Sequence, residues 1–276
     1  MIRRWSCTLW MCVPFLLACG GSSDTPAGSG GARQFDAADQ EVADELMETY
    51  PGLTVHAVPT SPVDEGEPEA EVELAVNVSI SESVVVDEEF KEDIIDLNER
   101  RSIHMLRVTS SQLADEDLSF LEDLDTVEVL ELTGPRISDD AIHHVLGLLS
   151  LRGLIAIGSS VTDDGLAQLV GLENLQSISL TNSKIRGSGF ADFAGRENLV
   201  FVNLNYSPVD DEGLRHLGKI PQLRSIELTG TKITDRGLKH LSKLKNLKYL
   251  NVEATKVTRR GAESLRKALP KVKVYY

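Results

Sequence analysis

Residues 24 apart match along more than half of this chain, and so short a repeat constrains the fold more than any other feature of the 276 residues. Set beneath one another, Asp115, Asp139, Asp163, Gly187, Asp211, Asp235 and Arg259 form one column. Two positions on stand Asp117, Ala141, Gly165, Gly189, Gly213, Gly237 and Gly261. The next column is apolar (Leu118, Ile142, Leu166, Phe190, Leu214, Leu238, Ala262), and so is the one three further on, from Leu121 to Leu265. Apolar residues three apart lie on one face of a helix. Elsewhere in each period the spacing falls to two, in Leu106/Val108, Leu130/Leu132, Leu154/Ala156, Ile178/Leu180, Val202/Leu204, Ile226/Leu228 and Leu250/Val252. That is the alternation of a short strand with one buried face.

A strand, turn and helix this small bury their apolar residues only against their neighbours, so the period predicts a solenoid. The phase holds without insertion or deletion from Ile103 to Val257, and Ile94 and Leu97 continue the helix columns upstream, making Phe90 to Leu97 a first capping helix. Downstream, residues 271–276 supply an eighth strand, with Val274 beneath Leu250 and Tyr276 beneath Val252. Pro270 stops the helix before it.

The phrase Leu223-x-x-Ile226-x-Leu228-x-x-Thr231-x-Ile233-Thr234-Asp235-x-Gly237-Leu238-x-x-Leu241 resembles the leucine-rich-repeat family. Its Ile-Thr-Asp-x-Gly-Leu portion is similar to the cysteine-containing class known from F-box proteins and to a related class of bacterial secreted proteins. The resemblance covers about two thirds of the chain, residues 87–276. It implies an α/β horseshoe with short parallel strands on the concave face and helices on the convex face. Where the family usually carries Asn or Cys, this chain has Ser111, Pro135, Ser159, Ser183, Ser207, Thr231 and Thr255. A hydroxyl both donates and accepts, so a hydroxyl ladder between turns is expected there, with a looser turn at Pro135. Ser138, Thr162, Asp210, Thr234 and Thr258 stand at helix N-caps. The recurring glycine costs a helix about 1 kcal/mol and is read as making room for a close approach.

All three cysteines, Cys7, Cys12 and Cys19, precede the body, which therefore has neither a disulfide framework nor a cysteine metal site. An arginine pair and the mostly apolar run from Trp5 to Ala18 read as a secretory signal, too short to favour a membrane span. Leu16-Leu17-Ala18-Cys19 resembles the lipobox of bacterial lipoproteins, which implies cleavage after residue 18 and lipidation of Cys19, although Leu17 departs from the small residue usual at its position. By the same analogy, Gly20 rather than aspartate implies the outer membrane. Residues 19–40, rich in Gly, Ser, Ala and Asp, read as a flexible tether. Residues 41–86 read as a small irregular N-terminal segment. It holds one helix carrying Val42, Leu46, Met47 and Tyr50, an acidic Pro-containing loop, and a period-two run from Val72 to Ile80.

Solenoids of this kind bind on the concave face. The outward strand positions put Ile155, Ile157, Phe201, Tyr206 and Tyr249 close together, flanked by Asn203, Asn205 and Asn251. Aromatic anchors beside amides suit protein recognition, so these eight are the expected partner-binding residues. Charge is lopsided: residues 214–276 hold 16 Lys+Arg against 4 Asp+Glu, whereas residues 20–213 hold 10 against 39. A net charge of −15 and the lack of aromatic-interleaved basic motifs speak against nucleic acid. His144, His216 and His240 share a column, but Gln168 and Asp192 interrupt it, so an exposed polar row is expected rather than a metal site. Acidic pairs recur in register at helix starts, which argues for capping and against catalysis. The reading is a monomeric, non-catalytic, lipid-anchored protein-binding scaffold of the cell envelope, with no cofactor. The alternative is a structural envelope component that binds anionic membrane or polysaccharide through its basic C-terminal repeats.

Overall fold

The computed structural model describes residues 37–59 and 74–276, so the signal segment, Cys19 and residues 19–36 of the tether lie outside the described residues. Among the described residues ten strands form one sheet in chain order. The first pair, β1 (Leu53–Pro59) and β2 (Leu74–Ile80), is antiparallel, and β2 runs parallel to β3 (Ile103–Thr109). There follow, all parallel, β4 (Val129–Thr133), β5 (Gly153–Ile157), β6 (Ser177–Ser179), β7 (Phe201–Asn203), β8 (Ser225–Glu227), β9 (Tyr249–Asn251) and β10 (Lys273–Tyr275).

From β3 onward the sequence period is the strand register. Leu106 pairs with Leu130, Leu130 with Leu154, and so on to Val274 beside Leu250. The expected eighth strand therefore forms, but β10 stops at Tyr275, and the ring of Tyr276 instead lies 5.2 Å from the Arg266 guanidinium. Inward-facing Leu106, Leu130, Leu154, Ile178, Val202, Ile226 and Leu250 are fully buried against the helix columns Leu118, Leu121, Leu166, Leu169, Leu214 and Leu217. Each such side chain contributes about 1.5–3 kcal/mol by leaving water.

The segment before the repeats builds the first end of this sheet. Helix α1 (Ala37–Thr49) starts four residues inside the stretch expected as tether, and the β1–β2 hairpin that follows extends the sheet beyond β3. Helix α2 (Glu88–Arg100), capped by Asp87, buries Phe90, Ile94 and Leu97. Tyr50, just after α1, meets Phe90 edge-on at 5.0 Å, and Phe90 meets Phe120 at 6.2 Å, so aromatic packing joins the end of α1, helix α2 and the first repeat.

Successive repeats are fastened by the aspartate column rather than by the hydroxyl column. Asp139 accepts the backbone N–H of Thr162 at 2.8 Å and its hydroxyl at 2.5 Å. Asp211 does the same for Thr234, and Asp235 for Thr258. Asp115 likewise accepts from the N–H and hydroxyl of Ser138. The cap hydroxyl then accepts an N–H of its own helix, so each Ser or Thr both donates to the previous repeat and caps the next helix. The glycine column makes room for this contact. A Cβ on Gly237 would lie 2.5 Å from Asp211 Oδ1, and one on Gly165 or Gly261 would collide with Asp139 or Asp235. Gly187 interrupts the column, and there the cap is Asp210, which accepts from Glu212 and Gly213 of its own helix. Two carboxylates would repel at that contact, so Asp210 fits only opposite a residue without one.

The hydroxyl column links one pair of repeats, where Ser207 Oγ lies 3.0 Å from Ser183 Oγ, accepts the Ser183 N–H and donates to the Leu180 carbonyl. Thr231 and Thr255 donate to carbonyls of their own turns, and Ser159 Oγ is buried without a partner, so a continuous hydroxyl ladder does not form. At Pro135 the neighbouring Ser160 donates to the proline carbonyl at 2.9 Å, which ties that turn to the next.

Candidate functional site

The outward strand positions form three rows across the concave face, and each row changes character along the solenoid. In its first half the polar groups satisfy one another. Arg107 donates to Glu131 on the next strand at 2.8 Å, and Arg152 pairs with Glu128 at 3.2 Å. The middle is small and closed: Ser177 and Ser179 are buried, as are Ile155 at 6% and Phe201 at 4% exposure.

Ile155 and Phe201 are therefore corrected from open anchors to floor residues. Alternation aims both outward, but side chains converge on the inside of a curved sheet, and beside small serines two large residues are covered. Of the other expected residues, Tyr206 is 62% and Ile157 36% exposed, and Asn203, Asn205, Tyr249 and Asn251 are half-buried. The register places Asn203, Glu227 and Asn251 side by side on β7, β8 and β9.

Glu227 is the residue that sequence reasoning passed over. It is 4% exposed, and burial pushes its carboxyl up to about 7. A hydrogen bond with Asn251 opposes the rise, the charge of Glu253 adds to it, and a hydrogen bond with Tyr249 again opposes it. The same cluster raises the Tyr249 hydroxyl, through burial first and then the charge of Glu227. Its signal was an acid between two asparagines in one outward row, although burial does not show in the pattern.

The asparagines here are oriented by the backbone. Asn203 Oδ1 accepts from Asn205 N–H at 3.0 Å, Asn205 Oδ1 from Thr229 N–H at 2.7 Å, and Asn251 Oδ1 from Glu253 N–H at 3.0 Å. With their carbonyl oxygens engaged, Asn203 and Asn205 keep their amide N–H groups as free donors.

Tyr206 follows this cluster at a turn that is left-handed in each period from β5 to β9, with φ of 66° at Gly158, 54° at Asn182, 60° at Tyr206, 71° at Gly230 and 54° at Ala254. A side chain as large as tyrosine is costly there. Its ring leans over the next turn, where a Cβ on Gly230 would lie 2.7 Å from Tyr206 Cδ1.

Elsewhere, His144 lies 2.5 Å from Glu122 and His216 3.6 Å from Glu212. Among the described residues no three His, Cys, Asp or Glu side chains converge as a metal-binding group, and no helix is long and apolar enough to cross a membrane.

The family model of the Leucine Rich repeat matches residues 221–242, the repeat built on β8 and the helical turn after it. The fold is a leucine-rich-repeat solenoid. Among solved structures it is similar to an internalin (inlF) from Listeria monocytogenes, with 20% identity and a TM-score of 0.53. That likeness covers 71% of this chain and 52% of the internalin, so the chain spans about half the length of that relative. It is also similar to an internalin C2 from the same organism, with 24% identity, a TM-score of 0.55, and coverage of 72% of this chain and 80% of that one. No curated protein is significantly similar to it in sequence. The leucine-rich-repeat frame accounts for the rows described above, and identities this low speak to the fold alone.

Proposed function

We propose that this leucine-rich-repeat chain is a non-catalytic, protein-binding scaffold whose partner docks on the concave face over β7 to β9. The anchor is a lipid on Cys19 at the cell envelope, in the outer membrane. The observation that carries the reading is Tyr206. In the four other repeats where this turn is left-handed the position is filled by Gly, Asn or Ala, yet here a tyrosine takes up the same costly backbone conformation and stays 62% exposed. Strained residues persist where the surrounding structure holds them for use. Beside it, Asn203, Asn205 and Asn251 present oriented amides, Tyr249 and Ile157 border them, and Ile155 and Phe201 support the patch from below. An aromatic anchor with fixed donors around it is the usual chemistry of a protein contact.

Photo-crosslinking in the native host tests this. A photoreactive residue at Tyr206 or Asn251 captures one discrete protein partner, and the same residue at exposed Asp192 on the convex side captures none. Equal capture from both sides, or none from the concave positions, overturns the proposal. For the anchor, the mass of the mature chain carries acyl groups that disappear in Cys19→Ser.

A further inference from the structure

The convex side of the last repeats carries charge that the fold does not require. The second helical position reads Glu116, Asp140, Asp164, Ser188 and Glu212, and then Arg236 and Arg260. The position seven further on reads Asp123, Gly147, Gly171 and Gly195, and then Lys219, Lys243 and Lys267. Earlier repeats build the same helix and turn with acids, serine or glycine, so the cations serve no need of the repeat. They also work against it. Arg236 and Arg260 sit in the first turns of their helices, where the helix dipole favours negative charge, and like charges in neighbouring repeats repel.

Arg236, Lys239, Lys243, Lys245, Arg260 and Lys267 are all exposed. The ion pairs of this region, Arg215 with Glu212 and Arg259 with Glu263, involve none of the six. The nearby acids Asp211 and Asp235 are engaged by Thr234 and Thr258.

We infer that this convex basic patch docks on an anionic lipid surface. Shape decides between anionic partners. A linear polyanion or an acidic peptide is held by a groove, whereas this patch covers the outward side of helices and bears best against a sheet of headgroups. Four of the six residues are lysines, whose flexible point charges suit diffuse headgroups better than the fixed fork of arginine. The overall charge of −15 does not oppose docking. Residues 214–276 hold 16 Lys+Arg against 4 Asp+Glu, and of the acids nearest the patch Glu212 is paired with Arg215 and Glu263 with Arg259. Docking on the convex side also leaves the concave face turned away from the lipid.

Co-sedimentation of the full chain with vesicles tests the inference. Attachment through the apolar run from Trp5 to Ala18 would not distinguish the two lipids, so the readout is the preference for equimolar phosphatidylglycerol and phosphatidylcholine over phosphatidylcholine alone. The chain is expected to show a preference that fades with salt and falls about five-fold for each lysine of the patch replaced by alanine. The quadruple variant Arg236→Glu, Lys239→Glu, Lys243→Glu, Lys267→Glu abolishes it. The control Arg224→Glu, Lys232→Glu, Lys248→Glu, Lys256→Glu changes net charge equally away from the patch and retains most of it. The patch variants keep the wild-type circular dichroism, and Lys243→Ala with Lys267→Ala gives a milder arm. Equal binding to both vesicles, or equal loss in the two quadruple variants, overturns the inference. So does capture by soluble dextran sulfate without preference for phosphatidylglycerol, which would assign the patch to a linear polyanion.

Discussion

The first and last thirds of the concave face share one register but use their polar side chains in opposite ways. Over β3 to β5, Arg107 is matched by Glu131 and Arg152 by Glu128, so the surface has little left to offer a partner. Over β7 to β9 no cation faces Glu227, the amides of Asn203 and Asn205 are oriented but unspent, and Tyr206 is held in a conformation that costs stability. A repeat scaffold allows this comparison because its inward columns are nearly constant. Differences between outward residues at one register position therefore report on use rather than on folding.

The largest effect comes from removing the scaffold beneath one half. In Gly237→Val the new side chain meets Asp211 Oδ1 at 2.5 Å and Leu214 Cδ1 at 2.8 Å, so the fastening between two repeats has to open. Overpacking with the loss of charge-assisted hydrogen bonds costs about 3–5 kcal/mol. Because each repeat contacts only its neighbours, hydrogen exchange should accelerate first over β8 to β10, while β3 to β5 remain protected. Uniform loss of protection would mean that the two regions are not separable.

Why the fold was legible and the site only partly so follows from the same residues. Apolar columns at spacings of two and three name strand and helix without knowledge of the third dimension, and Val274 fell beneath Leu250 on that basis alone. The fastening needed more. Asp139 and Thr162 are 23 residues apart, and only the stacked repeats reveal that the aspartate serves the next cap while the glycine makes space for it. The hydroxyl column misled because a serine or threonine satisfies itself within its own turn, as Thr231 does with the Leu228 carbonyl. Burial on a curved face was also hidden. Phe201 and Glu227 read as outward in the pattern, and curvature closes over both.

Glu227 gives the intermediate effect. Its carboxyl has an ordinary value of 4.5 and sits near 7 in the fold, so folding favours the protonated form. Stability is full below the unfolded value, falls as the unfolded chain ionises between about 4.5 and 7, and is level above that window. Glu227→Gln should remove this slope and raise stability at neutral pH by about 1–2 kcal/mol. Arg107 and Glu131 pair on the first half, so Glu131→Gln should instead leave an unmatched cation and bring no gain. Urea titrations of both variants on either side of the window decide it, and a slope that survives in Glu227→Gln would remove the acid from the comparison.

Tyr206 produces the smallest change in stability and separates use from folding most cleanly. Asparagine already occupies the same turn position at Asn182, with φ of 54°, so Tyr206→Asn keeps a backbone that its side chain tolerates. The substitution relieves the left-handed cost but gives up the contact of the ring with Gly230, leaving a net stabilisation of about 0.5 kcal/mol. If the last third of the concave face is a recognition surface, the variant should be at least as stable as the wild type while crosslinking from Asn251 to the partner disappears. Retained crosslinking in a stabilised protein would mean that the tyrosine is tolerated there rather than used, and the two parts of the face would then differ in composition only.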